Sequence, residues 1–103
     1  MREWPATAEA LMRSRYAAYE AGGARWLLAT WHASTRPQAL QIEPGTKWMG
    51  LEVRDHRLID PDHAEVEFVA RLRAGGGRAV RLHERSRFVR EDGRWYYVQG
   101  DLL

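Results

Sequence analysis

The sequence contains no cysteine, which excludes disulfide bonds and zinc sites built on thiolates. It also lacks any apolar run near the roughly 18 residues that a transmembrane helix needs. The first residues, Met1 to Pro5, have no apolar segment of the kind found in secretory signal peptides. We therefore expect a cytoplasmic protein that does not associate with a membrane.

Histidine is scarce as well, with four in the chain, and no pair has the helical spacing typical of metal ligands. His56 and His63 flank a predicted turn and could meet across it. Solvated turn residues are the better interpretation of this pair. We predict no metal site and no cofactor.

An excess of one charge is also missing, because 16 lysines and arginines face 14 acidic residues, for a net charge of +2. The isoelectric point is nevertheless near 9.4. Nearly all the cations are arginines, which stay protonated far above neutral pH. Because the charges nearly balance, the high isoelectric point is only a weak signal for nucleic-acid binding. We attribute the preference for arginine to coding bias.

Helix signals occupy the first third of the chain, whose 103 residues suffice for one domain, 1–103, with a packed core. Thr7 suits a helix N-cap, and apolar residues then recur at helical spacing. This pattern predicts an amphipathic helix over residues 8–21 that ends at Gly22. A second, short helix is predicted over residues 24–31.

From Trp48 onward the apolar period changes to two, which is typical of β-strands. In the first strand we expect Met49, Leu51 and Val53 to share the face opposite Trp48. Turn residues that separate the strands lie at 61–63, 75–77 and 92–93. The third strand is predicted over 80–90 and the fourth over 95–100. The pattern predicts an α+β fold with N-terminal helices packed on a four-stranded antiparallel meander sheet.

Turn geometry also predicts how the strands pair. A two-residue turn at Asp92-Gly93 places Phe88 opposite Tyr97 and Ser86 opposite Gln99. The turn of three glycines at 75–77, the glycine turn, places Phe68 opposite Glu84. One face of the sheet is then apolar and holds Val66, Phe68, Ala70, Leu72, Val80, Leu82, Phe88, Trp95 and Tyr97. The other face is charged and holds Glu65, Glu67, Arg71, Arg73, Arg81, Arg85 and Arg87.

Glu84 and Ser86 break this division, because both point, with Gln99, into the apolar face. Moving a carboxylate out of water without compensation costs several kcal/mol. We therefore expect Glu84 to have a charged partner, to contact water in a cavity, or to lie near a wet strand end.

Five segments resemble the YchJ-like family of small, uncharacterised bacterial proteins. They are "TAEALMRSRYAAY" (7–19), "LLATWHASTRP" (27–37), "KWMGLEV" (47–53), "VEFVAR" (66–71) and "HERSRFVREDGRWYYVQGD" (83–101). The resemblance covers nearly the whole chain. It implies the nuclear-transport-factor-2-like, or cystatin-like, fold, in which helices and a curved antiparallel sheet form a cone. The family's central domain has no established activity, so the resemblance leaves function open.

Members of that family commonly carry a cysteine-rich zinc motif at one or both ends, like the motif at the C-terminus of the SecA translocase. This chain has no cysteine and starts close to "TAEAL", so it is either a natural short form of the family or a piece trimmed from a longer member. Zinc binding is not carried over to it.

The first functional hypothesis is a non-catalytic binding or accessory module with a pocket between the helices and the sheet. Its unknown partner would be a small molecule or a protein. The predicted lining is Glu84, Ser86, Trp95, Tyr97 and Gln99, with Trp31, His32, Ser34 and Arg36 at the rim. Arg36 is the natural bidentate partner for Glu84 or for an anionic ligand. Alternatively, these side chains only tie the helical layer to the sheet.

Two other hypotheses stay open. Glu84 and His32 would suit acid–base catalysis of the isomerase or dehydratase type on a small carbonyl compound, although no nucleophile motif or phosphate loop supports an enzyme. The Arg-rich sheet face, with Tyr96 and Trp48 near it, could bind protein or nucleic acid or pair two copies into a homodimer. Because Glu65 and Glu67 cancel much of its charge, nucleic-acid binding is not favoured.

Overall fold

The computed structural model describes residues 3–103. Two helices precede four strands, which pair antiparallel in chain order as an open sheet. The elements are α1 (Ala8–Ala21), α2 (Ala24–Ala29), β1 (Thr46–Asp60), β2 (His63–Ala74), β3 (Ala79–Glu91) and β4 (Arg94–Leu102). The predicted arrangement of helices on a four-stranded meander is confirmed.

Both ends of α1 follow from its sequence. The Thr7 hydroxyl accepts a hydrogen bond from the Ala10 N–H at 3.0 Å, and Gly22 ends the helix with φ of 74°, a left-handed conformation that glycine adopts without strain. α2 ends at Ala29, earlier than predicted, because the chain turns there to meet the sheet. The N–H of Tyr97 donates to the Thr30 carbonyl at 2.8 Å and fixes this turn.

The predicted pairing of β2 with β3 is confirmed, since Phe68 lies opposite Glu84. In the same register Glu67 lies opposite Arg85. Phe88 also lies opposite Tyr97 as predicted, but a β-bulge then adds Val98 to β4. The extra residue shifts the register by one position. The predicted pairing of Ser86 with Gln99 is therefore wrong.

Beyond the bulge, Gly100 lies opposite Ser86, and Gln99 pairs with Arg87. Gln99 is exposed on the face of the sheet that points away from α1, which we call the outer face. Because side chains alternate along a strand, one added residue is enough to move Gln99 from the predicted pocket to solvent.

A second bulge, in β1, reverses another prediction. It lies between Trp48 and Gly50, so Trp48, Leu51 and Val53 are paired with inward-facing residues of β2. Met49 is 46% exposed, and the expectation that it shares a face with Leu51 and Val53 is wrong. Trp48 lies on the inner face instead of near the charged one.

The core lies between α1 and the inner face of the sheet. It contains Ala8, Leu11, Met12, Ala64, Val66, Phe88 and Trp95. Each large apolar side chain removed from water stabilises the fold by about 1.5–3 kcal/mol, so this cluster fixes the position of α1. Within residues 3–103, no helix has the length and apolarity needed to span a bilayer.

Candidate functional site

A pocket of about 250 Å³ opens between α1 and the inner face of the sheet. Most of its wall is aromatic or aliphatic. The lining residues are Met12, Arg15, Tyr16, Tyr19, Trp48, Phe68, Ala70, Leu82, Glu84, Ser86, Phe88 and Tyr97. Rings pack against one another at the α1 side, where the centroid of Trp48 lies 5.5 Å from those of both Tyr16 and Tyr19. Glu84 is the carboxylate of this otherwise largely apolar wall.

β3 places Glu84 and Ser86 on the inner face, two residues apart. The Ser86 hydroxyl donates to Oε2 of Glu84 at 2.8 Å. Gly100 lies opposite on β4, and a Cβ there would come within 2.7 Å of the Glu84 Cδ. The missing side chain of Gly100 therefore makes the space that the Glu84 carboxylate occupies.

Arg36 does not reach Glu84. Its side chain is exposed, and its Nε–H donates to the Trp31 carbonyl at 2.9 Å. The predicted pair of Glu84 and Arg36 is therefore wrong. No ion pair of Glu84 occurs in the part of the chain that the structure describes, so its hydrogen bond from Ser86 is the contact that holds it.

The arginine at this site is Arg15, which the sequence analysis missed. It is only 5% exposed, and its Nη1 donates to the Leu27 carbonyl at 2.8 Å and to the Thr30 hydroxyl at 2.6 Å. The guanidinium carbon also lies 4.4 Å from the ring centroid of Tyr97. The signal was present, because Arg15 falls in the apolar stripe of α1.

Burial controls protonation around the pocket. It lowers the pKa of Arg15 to about 10, although the nearby charge of Glu84 acts in the opposite direction. Burial raises the pKa of Tyr97 to about 12, and the charge of Glu84 raises it further. Burial likewise raises the pKa of Tyr19. At neutral pH the guanidinium is charged and both phenols keep their protons.

Trp31 lies behind the pocket instead of inside it. Its ring packs edge-on against Tyr97 with centroids 5.0 Å apart, and the guanidinium carbon of Arg15 lies 5.1 Å from its centroid. Its indole N–H donates to Thr35 at 3.2 Å, whose hydroxyl in turn donates to the Val98 carbonyl at 2.6 Å. These contacts attach the segment after α2 to β4.

His32 and Ser34 lie in the same segment, and His32 contacts the last residue of β3. The Nε2 of His32 lies 3.0 Å from a carboxylate oxygen of Glu91, and its Nδ1 lies 2.7 Å from the Ser34 hydroxyl. Neither residue lines the pocket, so His32 and Glu84 are not brought together there. The predicted acid–base pair is not assembled.

Trp95 also lies outside the pocket. It is buried in the core, and its carbonyl accepts a hydrogen bond from the Trp4 indole at 2.8 Å. Of the predicted site residues, the structure brings Glu84, Ser86 and Tyr97 together in the pocket wall. Their role in binding stays a prediction.

His56 and His63, considered above as metal ligands, contact different acidic residues. His56 lies 3.6 Å from Glu9, and His63 lies 2.8 Å from Asp60. The hydrogen bond from His63 lowers the pKa of Asp60. Across residues 3–103, no cluster of three or more potential ligands was found that could hold a metal ion.

The outer face carries paired charges at the end nearest the Asp92 turn. Glu67 accepts hydrogen bonds from His83 at 2.7 Å and from Arg85 at 3.2 Å, which lower its pKa. Arg87 lies opposite Glu65, but its guanidinium pairs with Asp101. This part of the face agrees with a solvated ion-pair network.

Comparison with known proteins places the chain in a family. Residues 7–100 match the family described as YchJ, middle NTF2-like domain. A UPF0225 protein of Polaromonas naphthalenivorans is 69% identical over 94 residues, covering 91% of this chain and 68% of that protein. A UPF0225 protein of Cupriavidus metallidurans is 61% identical, covering 95% of this chain and 73% of that protein.

A solved structure agrees. The solution structure of a SEC-C motif containing protein from Rhodopseudomonas palustris has a TM-score of 0.85 and 34% sequence identity. The match covers 95% of this chain and 80% of that one. Its fold is thus the one that the resemblance in the sequence implies. The chain belongs to the YchJ-like family and corresponds to its middle, nuclear-transport-factor-2-like domain.

Proposed function

We propose that this domain is a non-catalytic binding or accessory module that holds a small, mainly apolar molecule in the pocket between α1 and the sheet. One observation carries the proposal: a carboxylate, Glu84, lies in an aromatic wall with a hydrogen bond from Ser86 and no ion pair among the described residues. A carboxylate can accept about four hydrogen bonds. Glu84 therefore retains capacity to accept hydrogen bonds from a ligand.

The size of the pocket limits the ligand. An apolar protein cavity of about 150 Å³ is known to bind benzene, and drug-sized ligands occupy about 300–1,000 Å³. At about 250 Å³ this pocket fits one ring with a short substituent. The rings of Tyr16, Tyr19 and Trp48 supply apolar contact area for that ring.

The free hydrogen-bonding capacity of Glu84 favours a ligand that donates a hydrogen bond. Glu84 repels an anion, whereas it accepts from an amine or a hydroxyl group. The Nη1 of Arg15 is already bound to Leu27 and Thr30, and its guanidinium lies over the ring of Tyr97. An amine or alcohol on an aromatic ring is therefore the ligand chemistry that suits this pocket.

Acid–base catalysis has weaker support, because His32 is bound to Glu91 outside the pocket. Binding without catalysis needs only the residues that line the cavity. The proposal keeps the cytoplasmic location expected from the sequence.

The test titrates three matched probes, benzylamine, benzyl alcohol and benzoate, and follows the Trp48 indole and pocket methyl signals by NMR. We expect benzylamine and benzyl alcohol to bind and benzoate to bind at least about tenfold more weakly, because a hydrogen bond to a charged group contributes about 1.5–3 kcal/mol. Glu84→Gln keeps the shape and should cost benzylamine about tenfold or more in affinity.

Two variants complete the test. Glu91→Gln makes the same chemical change at an exposed carboxylate outside the pocket and should leave benzylamine binding unchanged. Gly100→Ala displaces the Glu84 carboxylate without removing it and should also weaken benzylamine. Failure of all three probes to bind, or equal binding to wild type and Glu84→Gln, would contradict the proposal.

A further inference from the structure

One end of the outer face carries cations without acids. Near the glycine turn, Lys47 on β1 lies opposite Arg73 on β2, and Arg71 lies opposite Arg81 on β3. Arg78 directly precedes β3. All are exposed. We call Lys47, Arg71, Arg73, Arg78 and Arg81 the cationic end.

The cationic end differs from the rest of the outer face in its pairing. None of its side chains forms an ion pair within residues 3–103. On the same face, Arg85 pairs with Glu67 at 3.2 Å, Arg57 approaches Asp55 at 3.5 Å, and Arg87 pairs with Asp101. The near neutrality of the whole sequence therefore conceals two regions of different charge.

The acids nearest along the chain do not neutralise the cationic end. Glu43 lies in the turn before β1 and forms no ion pair in the described part of the chain. Glu52 lies 3.6 Å from Arg54, a cation outside the cluster. Glu65 and Glu67, whose charges argued against nucleic-acid binding from the sequence, lie at the other end of the face.

This arrangement works against the stability of the sheet. Arg71 and Arg81 lie directly opposite each other, and like charges in that position destabilise a sheet. Exposed guanidinium groups without an internal acceptor keep their fork of donors free for an external anion. A partner with closely spaced negative charges would relieve the repulsion.

We propose that the cationic end binds the phosphate backbone of duplex DNA without sequence preference. A duplex has the dense, regular negative charge that a cluster of cations recognises. Single-stranded nucleic acid is held by stacking on exposed aromatic rings, and within residues 3–103 no tryptophan, tyrosine or phenylalanine lies on the outer face at this end, since Trp48, the neighbour of Lys47, lines the pocket on the inner face.

The test is fluorescence anisotropy with a short labelled DNA duplex, titrated at several salt concentrations. If all five cations contact phosphates, the logarithm of the binding constant should fall with the logarithm of salt with a slope of about −4.5. A rise from about 50 to 200 mM salt would then weaken binding about 500-fold. The double variant R71Q/R81Q should bind more weakly and reduce the slope to about −2.7.

The matched control is R85Q/R87Q, which removes the same charge from the same face but from arginines that have acidic partners. It should bind like the wild type. Equal weakening by both double variants would mean that only net charge matters, and would overturn the proposal. A thermal melt checks folding, and R71Q/R81Q should melt no lower than the wild type because it removes a like-charge contact.

Other partners give distinct outcomes. Tighter binding of duplex RNA of the same sequence, or better competition by polyglutamate than by unlabelled DNA, would overturn the choice of DNA. A wild-type dimer that R71Q/R81Q dissociates in light scattering would assign the surface to a second copy of the chain. Absence of binding to the duplex at about 50 mM salt would also overturn the proposal.

Discussion

The two ends of the space between α1 and the sheet use the same helix and the same sheet face, yet one is filled and the other is open. At the closed end, the small side chains of Ala8 and Ala64 are buried beside Leu11 and Val66. At the open end, the rings of Tyr16 and Tyr19 stand between the helix and the sheet and meet Trp48. Small residues let the backbones approach, whereas upright rings hold them apart and leave a pocket.

The largest expected effect tests this contrast with one chemical change at both ends. Leu11→Ala should lower the free energy of unfolding by about 3–4 kcal/mol, because the closed end is packed and the change leaves a cavity. Leu82→Ala, which faces the open pocket, should cost only about 1 kcal/mol. Urea unfolding measures both, and equal losses would show that the two ends do not differ in packing.

A smaller effect separates Arg15, which is buried beside the pocket, from Arg36, the arginine that the sequence analysis favoured. Arg15→Met removes hydrogen bonds to Leu27 and Thr30 and should lower the free energy of unfolding by about 2 kcal/mol. Arg36→Met removes one exposed hydrogen bond and should change it by less than about 0.5 kcal/mol. A more stable Arg15→Met variant would show that burying the charge costs more than its contacts return.

The smallest effect is a change in how steeply the unfolding free energy depends on pH. The pKa of Tyr97 is raised to about 12 in the folded protein. Its contribution to the free energy of unfolding is therefore fully present below pH 10 and is lost as the pH rises towards 12. The lowered pKa of Arg15 acts oppositely, since stability from that group grows above its pKa of about 10. Relative to the wild type, Tyr97→Phe should therefore make the slope of unfolding free energy against pH more positive between pH 10 and 12, by up to about 1 kcal/mol per pH unit. An unchanged slope in urea titrations across that range would refute the assignment.

The sequence predicted much of the fold because its signals were local. Thr7, Gly22 and the turn at Asp92-Gly93 set element ends through backbone chemistry that neighbouring residues do not override. The same is true of the pairing that puts Glu84 on the inner face. The inward-facing position of Glu84 was the main sequence evidence for a site.

The site itself was predicted less well because bulges and tertiary contacts have no local signature. A regular ladder predicts that Gln99 faces inward, whereas the additional residue Val98 turns Gln99 outward. Arg36 was chosen as the partner of Glu84 by charge type, whereas Arg15 was passed over although it lies in a buried helical stripe. In this protein, a charged residue at a core position of a predicted helix thus indicated the buried site better than a charged residue in a loop.

The bulge in β4 has a consequence for how the length of this strand can vary. Val98 is the additional residue, so a chain lacking it would keep Phe88 opposite Tyr97 and Gly100 opposite Ser86. A one-residue deletion there would preserve the pocket and cost mainly the carbonyl that accepts the Thr35 hydroxyl. A deletion between Gly100 and the end of β4 would instead move the remaining side chains of β4 to the opposite face of the sheet. Relatives that shorten β4 while retaining the Glu84 wall should therefore do so at Val98 and should also lose the hydroxyl at position 35.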